Sequence, residues 1–203
     1  MSEGLVNFVF GKVSVDVQSN SRLHILFTEL KEEFPDLKFR HKRNVWYHWV
    51  AHVLFCIFTI GFQRIYISRM TTTGRNRIDF SDEKWGRLHR GKDEDHDRVW
   101  ALLMHERVHL RQFASKGRFK VVMLYAFPPI LFCYGRAVVI EKPGYLASLR
   151  AQWEIAREWA EDDRYRKWWI SVFTGPSYGW AWVIRSQVER WFDDELSKLR
   201  EES

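Results

Sequence analysis

The five residues His105-Glu106-Arg107-Val108-His109 hold the types and spacing best suited to chemistry. In a helix of 3.6 residues per turn, positions four apart share one face, one turn apart. The two imidazoles can then present nitrogens to a single ion while Glu106 stands beside it. Zinc matches that set. Held by three protein ligands it keeps a fourth position for water, lowers the pKa of that water toward ~7, and leaves a neighbouring carboxylate to take the proton as the water attacks a carbonyl. His105 and His109 therefore read as metal ligands and Glu106 as a general base.

The motif resembles that of the zincin metallopeptidases, in which an HExxH helix supplies two zinc ligands and the catalytic Glu. The match covers HERVH and the apolar lead-in ALLM; Arg107 and Arg111 stand where that family usually carries uncharged or apolar residues. More loosely, the stretch from Ile65 to Tyr145 resembles small HExxH proteins of phages and bacteria, in which a strand pair around a Thr-rich turn precedes the motif helix. MTTTGRNRIDF occupies that place here. In the gluzincin branch a downstream helix supplies a Glu as third ligand, and two histidines alone leave a catalytic site short of its usual three. Glu141, in IEKPGY, is the first candidate for that ligand; Glu154, with Glu158 one turn later, is the rival. Tyr145 reads either as a hydrogen-bond donor to a developing oxyanion or as a packed aromatic.

Other groups carry weaker signals. His48 and His52 are four apart but have no carboxylate between them, which favours core histidines. Asp93, Asp95, His96 and Asp97 suit helix capping and solvation better than a cation site. His24, His41 and His89 fall into no constellation. Cys56 and Cys133 lie in apolar stretches, where free thiols behave as small buried hydrophobes, and point to a reducing compartment.

The elements that must position the motif follow from periodicity. VSVDV alternates like a strand, SRLHILFTELKEE like a helix, and FPDLKFRHKR reads as a loop. Val45 to about Ile60 favours a buried helix. QRIYISRM and RNRIDFS read as short strands flanking a turn at Thr71 to Gly74. Aspartates after RLHRGK suit an N-cap, and VWALLMHERVHLRQFA runs helically to Lys116-Gly117, placing the motif mid-helix. A second apolar helix breaks or kinks at Pro128-Pro129, resumes through GRAVVIE and meets Pro143-Gly144. Further helices are expected at Tyr145 to Trp159, about Asp162 to Phe173 and Trp180 to Leu199, with a turn at Gly175-Pro176-Ser177. The fold expected is α+β: a mainly helical single domain, 1–203, with a small hairpin or sheet beside the motif helix and residues 1–44 as an accessory segment.

Composition bounds the function. The net charge of +6 permits anionic partners, but basic and acidic residues interleave, so no stable nucleic-acid partner is expected. Neither apolar run, Val50 to Phe62 or Val121 to Tyr134, reaches the ~18 to 20 residues of a membrane span. No secretory leader is legible at the N-terminus, so the expected setting is cytoplasmic; the resemblance adds a phage-encoded protein acting in its host. The leading expectation is a zinc-dependent hydrolase, most readily a metallopeptidase acting on a peptide or protein held along an edge strand of the hairpin. The alternatives are a non-catalytic interaction protein stabilised by zinc and a basic nucleic-acid-binding protein.

Overall fold

The computed structural model describes residues 5–10, 13–18, 21–58, 66–126, 135–175 and 184–203. They form a mainly helical α+β protein, as the periodicity predicts. Two compact units divide the chain, Met1–Leu110 and Arg111–Ser203.

In the first unit β1 (Leu5–Phe10) and β2 (Val13–Gln18) form an antiparallel hairpin. Helix α1 (Arg22–Glu33) follows, its first turn capped by the Ser21 hydroxyl, which accepts from the His24 amide. Its apolar face, Leu23, Leu26, Phe27 and Leu30, is fully buried. A three-stranded sheet of order β3-β5-β4 comes next: β3 (Lys38–His41) runs parallel to β5 (Arg77–Phe80), and β4 (Thr72–Gly74) antiparallel to it. Phe27 meets Phe39 edge-on at 5.1 Å, and Phe39 stacks on Phe80, so α1 covers one face of this sheet. Helix α1 and strand β3 thus contribute directly to the core of the first unit.

Several expectations need correction here. FPDLKFRHKR is not all loop. Its centre is β3, hidden from periodicity because Phe39 is the single apolar residue among Lys38, Arg40 and His41, and its pairing partner lies far along the chain. The Thr-rich stretch is strand rather than turn. The reversal falls at Arg75-Asn76, a two-residue hairpin loop, while Tyr66 to Arg69 form turns and Gln63 to Ile65 lie outside the described residues. Helix α2 (Trp46–Phe58) starts where expected, yet it is not buried all round: Trp46, Trp49, Val50 and Val53 are exposed.

A short helix the periodicity did not suggest, α3 (Asp82–Arg90), runs from the Ser81 cap to Gly91, whose φ of 65° favours glycine. The acids of the next segment then open α4 (Asp93–Lys116), where Asp93, Glu94 and Asp95 face the positive end of the helix dipole. They favour the helix start through its dipole from within the first turn, and Asp95 also accepts from Arg90. Gly117, at φ 76°, ends α4 as predicted.

The second unit begins in the last turns of α4 and continues with α5 (Arg118–Ala126). Pro128-Pro129 and the turn at Pro176-Ser177 lie outside the described residues. GRAVVIE resumes as helix but in the wider π form, Gly135–Glu141. A Cβ on Gly135 would stand 3.1 Å from Leu124, so glycine lets this segment approach α5. Pro143 does not stop the chain, because proline suits the first turn of a helix; α6 (Lys142–Ile155) starts there. A break at Ala156 separates α6 from α7 (Arg157–Ala160), and α8 (Asp163–Thr174) and α9 (Arg185–Glu201) complete the unit. Its core is aromatic: Trp169 lies 4.4 Å from Trp191 and 5.1 Å from Phe192 between ring centres.

Candidate metal centre

Helix α4 presents the motif as its spacing requires. The Nε2 atoms of His105 and His109 converge to 2.9 Å, with ring planes 73° apart. Two nitrogens bound to one tetrahedral zinc at about 2.0–2.1 Å stand about 3.3 Å apart, so a small rotation of either side chain opens the pair to a zinc chelate. The donor set fits the ion. His105 and Glu106 are both buried, and Val99, Leu103 and Leu110 on the same helix are fully buried, which fixes the helix that carries them.

Glu106 is held by a neighbour that the sequence does not reveal. The Thr73 hydroxyl, on β4, donates to its Oε2 at 2.5 Å. Side chains alternate along a strand, so Thr72 and Thr73 serve opposite faces of the sheet. Thr73, paired with Ile78, turns toward α4, whereas Thr72, paired with Asp79, bonds the Tyr66 hydroxyl.

Arg107 lies on another face of the helix from the histidines. It donates to Glu33 at 2.8 Å and to Glu29 at 2.6 Å, both on α1. Arg107 therefore acts locally, as a clamp between α4 and α1.

The other sheet face carries a buried polar network centred on Asp79. Arg40 donates to both carboxylate oxygens, at 2.7 and 3.0 Å, and His48 Nε2 stands 2.9 Å from Oδ2. A carboxylate only accepts, so His48 donates from Nε2 to Asp79, and its Nδ1 stands 2.8 Å from the Tyr66 hydroxyl. Burial pushes the Asp79 carboxyl up, but the His48 and Arg40 hydrogen bonds outweigh it and hold the group below its ordinary value. With both ring nitrogens engaged, His48 is the core histidine expected; His52 lies beside Cys56 instead, 3.9 Å from its sulfur.

Lys42 is the feature that sequence reasoning missed. It is fully buried, donates to the carbonyls of Met70 at 2.8 Å and Tyr66 at 3.3 Å, and lies 3.6 Å from the centre of the Tyr66 ring. Burial pushes its ammonium down to about 7, with Asp79 and Glu106 near enough to oppose that shift. A lysine inside a basic loop-like run gives no sequence signal for this.

In the second unit, Glu141 ends the π segment and is 2% exposed, whereas Glu154 on α6 and Glu158 on α7 are exposed. The break at Ala156 also removes the one-turn relation expected between those two. Gln112 donates to the carbonyls of Val139 and Ile140, at 3.2 and 3.0 Å, just before Glu141. Tyr145 packs against Trp169 and Phe173 in the aromatic core, the packed-aromatic alternative of its two readings.

No helix among the described residues is long and apolar enough to cross a membrane. No protein-family model matches the chain, and no curated protein or solved structure matches it at a significant level.

Proposed function

We propose that the protein is a zinc-dependent hydrolase, most readily a peptidase, with His105, His109 and Glu141 as ligands and Glu106 as general base. The observation that carries this reading is the convergence of His105 and His109 Nε2 to 2.9 Å beside a buried, hydrogen-bonded Glu106. Zinc bound there would supply an acidified water and a Lewis acid for a carbonyl. Glu106 takes the proton at a carboxylate oxygen while Thr73 holds the other, which fixes the direction of transfer.

Two observations support the finer assignments. Gln112, three residues after His109 on the same helix, binds the carbonyls of the two residues before Glu141, and of the candidate third ligands Glu141 alone is buried. Strand β4, which carries Thr73, is the edge of its sheet among the described residues. An extended peptide added to that edge would lie along the strand that touches the base, so peptides are the favoured substrate class.

The experiment is zinc per chain by elemental mass spectrometry on tag-free protein, with hydrolysis of a peptide library as the second readout. About one zinc in the wild type is expected, lost in His105→Ala and weakened in Glu141→Ala. Glu106→Gln should keep the zinc and lose hydrolysis. A wild type that takes up no zinc, or a zinc-loaded Glu106→Gln with full activity, overturns the assignment.

A further inference from the structure

Helix α2 is oriented the opposite way from an ordinary surface helix. His48 faces inward, fixed by Asp79 and Tyr66, so the residues on the opposite side must face out. Those are Trp46, Trp49, Val50 and Val53, at 76%, 45%, 48% and 54% exposure, spaced i, i+3, i+4, i+7. That spacing is one continuous stripe. The Trp49 indole N–H donates to the Arg43 carbonyl at 2.9 Å, which satisfies its polar end and leaves the ring apolar toward solvent.

Charge selects the occupant. From Leu37 to Ile78 the chain contains eight Lys or Arg and no Asp or Glu. Lys38, Arg69 and Arg75 of that stretch are exposed in the same unit, as is Arg43, which pairs with Asp82. A helix with tryptophans and valines on its outer face, in a stretch of chain with a net positive charge, matches an anionic bilayer surface: the aromatic and aliphatic side chains enter the headgroup boundary and the cations meet lipid phosphates. A protein partner with a basic or neutral face would not use that charge.

We propose that the outer face of α2, through Trp46, Trp49, Val50 and Val53, docks the protein on an anionic membrane surface without crossing it. The site is independent of the metal centre. Binding here would place a hydrolase beside membrane-associated substrates, but the docking itself needs neither zinc nor Glu106.

The test is cosedimentation of the full chain with phosphatidylcholine vesicles containing about 30% phosphatidylglycerol, against pure phosphatidylcholine vesicles. Wild type is expected to sediment with the anionic vesicles, and to be released as salt rises to about 0.5 M. The triple variant Trp46→Ser, Val50→Ser, Val53→Ser should bind at least about tenfold more weakly. These positions are exposed, so the variant keeps its thermal midpoint. Phe119→Ser with Val122→Ser, exposed apolar residues of the second unit, should leave binding unchanged. Wild type left in the supernatant, a triple variant that binds normally, or loss confined to the Phe119 and Val122 variant overturns the proposal. So does a wild-type dimer that the triple variant converts to monomer, since the stripe would then be covered by a second copy.

Discussion

Thr73 and Glu106, 33 residues apart, are joined by a hydrogen bond of 2.5 Å from the threonine hydroxyl to a carboxylate oxygen. The bond ties an edge strand to the helix that carries the two converging histidines. It fixes one carboxylate oxygen of Glu106 and leaves the other outside that bond.

If Glu106 is the base, Thr73→Val removes the bond that orients it. A hydrogen bond to a charged group is worth about 1.5–3 kcal/mol, so kcat for peptide hydrolysis should fall about 10- to 100-fold. KM and zinc content should stay near wild type, and Thr73→Ser should restore most of the rate. Equal losses in Thr73→Val and Thr73→Ser would mean that the hydroxyl has no positioning role.

Asp79 should be the acid-sensitive point of the first unit. Its carboxyl is held below its ordinary value, so it contributes stability that is present above the unfolded value of about 4 and is lost as pH falls through the folded value. Asp79→Asn removes the buried carboxylate that accepts from buried His48 and from partly exposed Arg40, and should cost about 2 kcal/mol at pH 7. Urea denaturation at pH 7 and pH 3 checks both statements: the difference between wild type and variant should shrink at the lower pH.

How far the sequence foretold this arrangement depends on whether a signal is local. The motif helix, its stop at Gly117 and the pairing of His105 with His109 follow from spacing along one helix, and spacing is what a sequence displays. Ser81, Asp82 and Gly91 were equally local signals for α3, though a single buried residue, Leu88, gives that helix almost no apolar period. Strand β3 and the Thr73 bond depend on pairing across 39 and 33 residues, to which periodicity is blind. The outward stripe of α2 shows a further limit. Its apolar residues suggested burial, whereas its orientation is set by one polar residue, His48, finding Asp79 on a distant strand.

Lys42 predicts a slope in stability at alkaline pH. Its folded value, about 7, lies below the unfolded value of about 10.4. Between these values the unfolded chain holds a proton that the folded chain lacks, so stability rises with pH across that window and is flat, for this group, below it. Lys42→Met removes the titrating group and should abolish this component. The check is the difference in unfolding free energy between wild type and variant at pH 6, 8 and 10; a constant difference would show that Lys42 keeps its charge throughout.

Arg107 supplies the last prediction. Its guanidinium joins α4 to α1 through Glu29 and Glu33 and is itself 18% exposed, while the two acids are more open to water. Solvent screening limits each such pair to about 0–1 kcal/mol, so Arg107→Gln should lower stability by about 1 kcal/mol in total, and by less at high salt. Because the side chain leaves the helix away from His105 and His109, zinc content should not change. Loss of zinc in Arg107→Gln at unchanged stability would place the arginine in the metal centre and reverse its assignment as a clamp. The paired control is Glu29→Gln with Glu33→Gln: a clamp predicts the same loss of stability from either side, whereas a direct role for Arg107 at the metal predicts that the acids are silent.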